Sequence, residues 1–484
     1  MRTDKAKAPI YEMLAQQARL SVHSFHVPGH KGRATWSDTE ADDRFRELLA
    51  LDLTELADTD DLHHPQGPIE EAQILAADCF GAEETRFVVG GSTAGNLAMI
   101  LGTASPGELL IVQRNVHRSV LHGLMLAGVR AVLLQPEIDE LTGLAIMPSP
   151  ERIAEAVARY PEAKGVVLCS PNYYGMCGDL EKVVSICHSA GMPVLADEAH
   201  GPHFGFHPRF PESALFAGAD VVVQSAHKIL SAMTMGAMLH MQGSLVDREA
   251  IRQALRMVQS SSPSFPLLAS LDLARRQLHV DGESAFQPAL EAADRVLEFL
   301  PATPFRAIGQ QPGNARQDPL KLVLYDTRGT MDGFRLRDEL AERGCIAEMA
   351  DSRHVVLALG TGTRPEDAEA LNRALSEISE LVIPQSVGPN AIPDALEPET
   401  EEIPQPVAFR RSLSATERIG LETSVGRIAG EWIVPYPPGI PELYPGERIT
   451  EHAVARLFKW RSQGAQIQGA EDPMLNEIRV EVEK

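Results

Sequence analysis

Val221-Val222-Val223-Gln224-Ser225-Ala226-His227-Lys228-Ile229-Leu230 is the stretch on which the reading of this chain turns. A β-branched run stops abruptly at Ser225-Ala226-His227-Lys228, the pattern of a buried strand that delivers polar groups at its end. A lysine in that position is costly unless it is used. Desolvation lowers a lysine's pKa and makes the neutral amine available, which suits Schiff-base chemistry. The plainer alternative is a lysine that snorkels from the strand end into water.

Upstream, a short apolar run at 194–196 opens into Asp197-Glu198-Ala199-His200-Gly201. An acid at a strand end beside a histidine suits a metal site, a general acid/base pair, or a partner for a heterocycle nitrogen. Further upstream, a strand over 85–89 runs into Gly90-Gly91-Ser92-Thr93-Ala94-Gly95-Asn96 and then an apolar helix over 97–101. A strand, a turn of glycines and hydroxyls, and a helix N-terminus together cradle a phosphate. The turn is neither a Walker A loop nor G-x-G-x-x-G, and many such turns carry Gly and Ser for steric reasons alone.

Around these stretches, short and continuously apolar strands alternate with helix-length segments. Strands are expected at 109–112, 131–134 and 165–169, with helices at 69–80, 151–160 and 180–190. That pattern predicts a mostly parallel sheet covered on both faces. Such sheets place ligands at the carboxyl ends of their strands. The segment 257–272 carries the chain out of this domain. A smaller αβ unit follows, with strands at 321–325 and 355–359 and helices at 333–343 and 365–378. The proline- and glutamate-bearing segment 384–405 reads as a linker. A last unit begins near 406 and holds a helix over 450–460 with Thr450 as N-cap. The expected division is an N-terminal segment 1–40, a large domain 41–265, a small αβ domain 266–383, the linker, and a C-terminal domain 406–484.

Composition narrows the classes. The chain has 484 residues, room for two or three domains; 44% hydrophobic and 23% charged residues are ordinary for a globular protein. A formal charge of −23 disfavours nonspecific binding to nucleic acid or an anionic membrane. Cys79, Cys169, Cys177, Cys187 and Cys345 form no Cys-x-x-Cys pair, which fits reduced thiols in a cytoplasmic protein. The first residues do not read as a signal peptide, and no apolar run reaches membrane-spanning length. Two polar stretches stay open at this stage. Ser24 to Gly32, with His26, His30 and Lys31, suits either an anion or solvent; Asp58, Asp60, Asp61, His63 and His64 suit either a metal or a capped polar loop.

One cofactor uses all three strand-end features. Pyridoxal phosphate (PLP) needs N–H and hydroxyl donors for its phosphate, a carboxylate for its pyridine nitrogen, and an amine for its aldehyde. The glycine/hydroxyl turn, Asp197 and Lys228 supply them in that order. The order resembles the aspartate-aminotransferase-like fold of PLP enzymes: an α/β large domain with a mostly parallel sheet and a small αβ domain. Here a C-terminal α+β domain is added.

Within that fold the chain resembles the Orn/Lys/Arg decarboxylase family. The resemblance is carried by Pro28-Gly29-His30-Lys31, Asp60-Asp61-Leu62-His63-His64-Pro65 and Gly91-Ser92-Thr93-Ala94-Gly95-Asn96. It continues in Gln113-Arg114-Asn115-Val116-His117, Pro171-Asn172-Tyr173-Tyr174-Gly175, Asp197-Glu198-Ala199-His200-Gly201 and Ser225-Ala226-His227-Lys228. Pro435-Tyr436-Pro437-Pro438-Gly439-Ile440-Pro441 and Pro445-Gly446-Glu447 match that family's C-terminal domain.

The resemblance implies roles. Lys228 would hold PLP covalently, Asp197 would pair with the pyridinium nitrogen, and His117 would stack on the ring. Gly91, Ser92, Thr93, Ala94, Ser225 and His227 would seat the phosphate, with His200 also at the cofactor. Lys228, His117, Asp197 and His227 would be the catalytic set. Glu447 is read as the partner of the substrate's distal cation, or else as a surface carboxylate. The implied reaction is α-decarboxylation of arginine, lysine or ornithine to CO2 and agmatine, cadaverine or putrescine, in cytoplasmic polyamine biosynthesis. Lys228 or His227 would return the proton to Cα.

The chain departs from the family's long members. Its Pro-Gly-His-Lys motif begins at residue 28, so the expectation is a short form without their N-terminal wing domain, working as a homodimer or dimer of dimers. His200 stands where long members tend to have tryptophan. Three rivals remain: an aminotransferase or aldolase on the same fold, a metal-dependent hydrolase built on Asp197, His200, His203 and His207, and a PLP-fold protein that has lost catalysis. No metal site is expected, because no HExxH-type spacing exists.

Overall fold

The computed structural model describes residues 4–20, 22–139, 142–308, 316–381, 402–411, 415–436, 440–462 and 466–482. It divides into two compact units. One comprises 1–102, 195–287 and 360–362; the other comprises 103–194, 288–359 and 363–484.

In the first unit, the helix Pro9–Gln17 buries Ile10 and Leu14 and packs on the helices Pro68–Phe80 and Phe265–Asp281. Its seat is polar as well as apolar. The Ile10 amide donates to Asp272 Oδ2 at 2.9 Å. Asp272 in turn pairs with Arg275, a fully buried guanidinium that also donates to the carbonyls of Lys5 at 3.2 Å and Lys7 at 2.8 Å. Pro68 starts its helix where a missing N–H costs nothing, and Gly81, with φ of 74°, ends it in the left-handed conformation.

The strands of this unit lie in the order Glu84–Val88, Ala237–Met241, Val221–Gln224, Val194–Asp197. The last two are parallel, with Asp197 level with Val223. The first two are antiparallel to each other, and Ala237–Met241 is antiparallel to Val221–Gln224. An unbroken apolar run marks burial on both faces but carries no strand direction, so the sequence alone gave the parallel pairs and missed this antiparallel side. The segment expected to leave the domain is two helices, Arg248–Val258 and Phe265–Asp281. They are separated by Gln259-Ser260-Ser261-Ser262-Pro263-Ser264, whose serines and proline favour turns over helix.

In the second unit, Val166–Cys169, Leu109–Gln113 and Arg130–Leu134 form consecutive parallel pairs. Val407–Ala408 adds an antiparallel edge. The intervening helices Arg118–Ala127, Pro150–Arg159 and Leu180–Ser189 begin at side-chain caps from His117, Ser149 and Asp179. An antiparallel sheet follows in the order Met349–Ala350, His354–Ala358, Lys321–Asp326, Phe305–Ala307, with the helix Gly333–Glu342 packed on it. The chain ends in two small antiparallel ribbons and the helix Glu451–Ser462, gathered round Leu421, Ile433, Leu443, Leu457 and Val480. The Thr450 hydroxyl caps that helix by accepting from the Ala453 amide at 3.1 Å. Most of the proline-rich linker, 384–401, and residues 437–439 of the C-terminal motif lie outside the described residues.

Candidate active site

Two neighbouring strands of the first unit end in the chemistry. Val221–Gln224 passes into a single helical turn, Ala226–Ile229, which presents His227 and Lys228. Val194–Asp197 ends on Asp197, which is 2% exposed. Register places Asp197 beside Val223, so the carboxylate and the lysine leave adjacent strands at their carboxyl ends.

Asp197 is held from two sides. Its Oδ2 accepts from Asn96 Nδ2 at 2.7 Å and its Oδ1 from the Ala199 amide at 3.1 Å. Asn96 is buried on the helix Gly91–Thr103, which starts earlier than its apolar run suggests. Ser92, Thr93 and Ala94 therefore occupy the first helical turn, where backbone N–H groups have no intrahelical acceptor. Gly91 has φ of +72°, and its amide donates to the Met235 carbonyl at 2.9 Å. Gly95 lies against the strand that leads to Lys228: a Cβ there would sit 2.6 Å from Val223 Cγ1.

Lys228 Nζ lies 2.8 Å from His200 Nε2, and His200 is buried. His227 Nδ1 lies 3.0 Å from the Gly236 carbonyl, so that nitrogen carries a proton and donates. Ser225 is completely buried, and its hydroxyl has no hydrogen-bond partner among the described residues. A buried hydroxyl without a partner is rare, and here it lies at the strand end beside His227 and Lys228, free to accept or donate to a bound group.

A second polar layer lies behind Asp197. Glu198 is 1% exposed. It accepts from Gln224 Nε2 at 2.6 Å, Ser213 Oγ at 3.0 Å and the Ala214 amide at 2.6 Å. Burial pushes its carboxyl up to about 8, although all three hydrogen bonds pull the other way. Gln224 Oε1 faces His240 Nε2 at 3.1 Å, and His240 Nδ1 faces the Thr85 hydroxyl at 2.8 Å. Burial depresses His240 to about 3, so the ring is neutral.

The remaining predicted residues belong to the second unit. His117 Nδ1 lies 2.8 Å from Ser119 Oγ and accepts from the Ser119 amide at 3.3 Å, which caps the helix Arg118–Ala127. Glu447 meets Arg114 as a two-pronged pair: Nε to Oε1 at 3.0 Å and Nη2 to Oε2 at 2.9 Å. Arg114 also donates to the carbonyls of Pro441 and Glu442, each at 2.9 Å, and lies over the Tyr444 ring. Burial opposes its charge, but Glu447, Tyr444 and Glu442 together outweigh burial and raise the guanidinium pKa.

The open alternatives now resolve in part. Asp60 accepts from the amides of Asp61, Gln66, Gly67, Ile69 and Glu70, a loop and helix cap. His30 lies 3.1 Å from Asp52. His203 is packed among the rings of Phe204, Phe210 and Phe286. Among the described residues, no three His, Cys, Asp or Glu side chains converge as a metal would require.

Sequence reasoning named Asp197 and Lys228 but not Asn96, Arg114 or Glu198 as site residues. Each stood inside a motif already singled out. The available signal for Asn96 was an amide beside an apolar helix; for Glu198 it was only an acid next to Asp197 at a strand end, and neither names the partner.

These residues fit PLP. A half-buried amine, a carboxylate fixed by an amide, a helix N-terminus with two hydroxyls and an unpartnered buried serine are the groups that cofactor requires. The comparisons with known proteins agree. Residues 8–301 match the Orn/Lys/Arg decarboxylase major domain, and residues 394–467 match that family's C-terminal domain. The chain is 41% identical over 464 residues to the Bacillus subtilis uncharacterized protein YaaO, covering 95% of this chain and 96% of that one. It is 34% identical over 488 residues to a B. subtilis arginine decarboxylase, covering 98% of each. Its fold is similar to that of the Francisella novicida lysine decarboxylase LdcF, with a TM-score of 0.80, 19% identity, and coverage of 98% of this chain and 81% of that chain. A lysine and a carboxylate on neighbouring strand ends, in a chain matched by both domains of one family, place it in the Orn/Lys/Arg decarboxylases, PLP-dependent amino-acid carboxy-lyases.

Proposed function

We propose that this protein removes the α-carboxylate of a basic amino acid, releasing CO2 and the corresponding amine. Arginine is the first substrate to test, because relatives 34% identical over nearly the whole chain are named arginine decarboxylases. Lysine and ornithine are the other two. The observation that carries the reading is the pair of adjacent strand ends, with Asn96 on Asp197 and His200 on Lys228.

PLP, when bound, supplies an aldehyde that captures the substrate amine and a ring that takes up the electron pair left by CO2. The chain's residues do the rest. Lys228 would provide the amine that holds the cofactor and would yield it to the substrate. Asp197, fixed by Asn96 and Ala199, would keep a proton on the ring nitrogen. Gly91, Ser92, Thr93, Ala94, Ser225 and His227 would hold the phosphate, and His117 is the proposed partner of the ring. Lys228 or His227 would return one proton to Cα. With His227 Nδ1 committed to the Gly236 carbonyl, Nε2 is the nitrogen through which that ring would act. Glu447 is the proposed partner of the substrate's distal cation. Both its oxygens already accept from Arg114, so the substrate would share that carboxylate.

The proposed working form is a homodimer in the cytoplasm, contributing to polyamine synthesis. Support for self-association comes from the N-terminal region of the first unit. The helix Thr39–Leu51 buries no residue, and Phe25 and Val27 are 94% and 65% exposed. Among the described residues no helix is long and apolar enough to cross a membrane.

The test is to load the purified protein with PLP, supply each of the three amino acids, and measure CO2 and amine. Lys228→Ala should bind PLP only weakly and release neither product. Turnover to a keto acid, with no CO2, would overturn the decarboxylase reading while leaving the cofactor in place.

A further inference from the structure

The hydrogen bonds behind Asp197 run one way. The Ala214 amide can only donate, so Glu198 Oε1 accepts there. Gln224 Nε2 can only donate, so Glu198 Oε2 accepts there too. That orientation leaves Gln224 Oε1 facing His240 Nε2, which must carry the ring's proton. His240 Nδ1 must then accept from the Thr85 hydroxyl. Every member is 2% exposed or less, so no solvent competes for these bonds. The polarity is the same whether or not Glu198 holds a proton. Of its three neighbours only the Ser213 hydroxyl can turn to accept one.

The position of this relay is as telling as its direction. Glu198 follows Asp197 directly, and Gln224 precedes Ser225 directly, with Lys228 one turn further on. The main-chain ladder between the two strands closes at Asp197 and Val223, with the Glu198 amide donating to the Val223 carbonyl at 2.9 Å. The Gln224–Glu198 bond carries the tie one residue beyond that ladder, to the point where both strands release their working side chains.

We infer that Glu198 is a positioning residue which, through Gln224, fixes the spacing between the carboxylate at 197 and the amine at 228. It touches neither cofactor nor substrate. This inference rests on the PLP reading above, and it concerns how well the protein holds that cofactor rather than which substrate it takes.

The polarity makes a swap experiment decisive. Glu198→Gln must keep its oxygen on the Ala214 amide, so its NH2 meets the NH2 of Gln224, a clash relieved only by turning Gln224 over and moving the His240 proton to Nδ1. Gln224→Glu instead sets two carboxyls face to face. The double variant Glu198→Gln/Gln224→Glu restores a donor against an acceptor at every position, and leaves the His240 proton on Nε2. PLP affinity is read from the absorbance of bound cofactor in titrations of the apoprotein. Each single variant should weaken PLP roughly tenfold or more, as expected when a buried polar group is set against a like group. The swap should return affinity to within about threefold of the parent. Ser213→Ala, which removes a bond to Glu198 without touching the tie, should lower thermal stability and leave PLP affinity unchanged.

Parent-like PLP affinity in both single variants would overturn the positioning role. If neither single variant folds, the swap still decides: folded with native PLP affinity supports the role, and folded with weakened PLP refutes it. A parent protein that binds no PLP would instead sink the cofactor reading itself.

Discussion

Gly95 and Val223 approach so closely that a Cβ on the glycine would lie 2.6 Å from Val223 Cγ1. One sits in the helix that carries Ser92, Thr93 and Asn96, the other in the strand that leads to Lys228. Absence of a side chain at 95 lets the phosphate-seat helix lie against the lysine strand. Gly95→Ala should cost about 1–3 kcal/mol of stability by overpacking and weaken PLP binding as the helix is pushed off. Val223→Ala in the same chain should recover part of both. Thermal melts and PLP titration check this.

Asn96→Leu should remove the side-chain donor to Asp197 while the Ala199 amide still donates to that carboxylate. A hydrogen bond to a buried charged group contributes about 1.5–3 kcal/mol. PLP affinity should fall by roughly ten- to a hundredfold, and turnover should fall as well. Asn96→Asp should be worse, because it puts a second carboxyl against the first. A parent-like affinity in Asn96→Leu would show that Asp197 does not depend on this bond.

The buried polar layer predicts a signed response to pH. Glu198 is raised to about 8 by burial, whereas an unfolded glutamate titrates near ~4.3. The native state therefore holds the proton more tightly, and this group's contribution to stability is lost as pH rises from about 4.3 through 8. His240 has the opposite sign. Its pKa is depressed to about 3, so its contribution is present above the unfolded value near ~6.5 and is lost as pH falls toward 3. Between pH 6.5 and 8 only Glu198 of these two is changing. Glu198→Gln should flatten the decline in melting temperature across that window, and a decline as steep as the parent's would exclude Glu198 as its source.

Arg114→Met should leave the Glu447 carboxylate without the guanidinium that takes both its oxygens. Breaking a pair of this kind costs about 3 kcal/mol. The double variant Arg114→Met/Glu447→Gln should be less destabilised than the single one. Comparing KM for arginine in Glu447→Gln then separates substrate recognition from stability. A raised KM with an unchanged melting temperature supports recognition. An unchanged KM with a lowered melting temperature assigns Glu447 to the fold alone.

Much of this arrangement was legible in the sequence because apolar runs and their sudden ends report burial directly. Val221-Val222-Val223 before Ser225 and Lys228, and Val194-Leu195-Ala196 before Asp197, needed no structure to be seen as strand ends. Pairing direction was not legible, since Ala237–Met241 would read the same in either sense. Asn96 and Glu198 were hidden for a different reason. Their meaning lies in a partner 101 residues away in one case and 26 in the other. No periodicity records such a contact. Gly91 to Asn96 read as a turn because Gly, Ser and Thr are weak helix formers. The helix begins there nonetheless, since packing against Val223 outweighs propensity.

The anchorage of Arg275 has a practical consequence for anyone trimming or tagging the N-terminus. Two of the acceptors that neutralise this interior guanidinium are main-chain carbonyls of residues 5 and 7, and Asp272 is itself steadied by the amide of residue 10. A protease cut or shortened clone that removes the first ten residues would take the buried Ala8 and Ile10 with it and would leave this interior guanidinium with Asp272 but without its two carbonyl acceptors. Extensions ahead of residue 5 should be harmless; deletions past it should not.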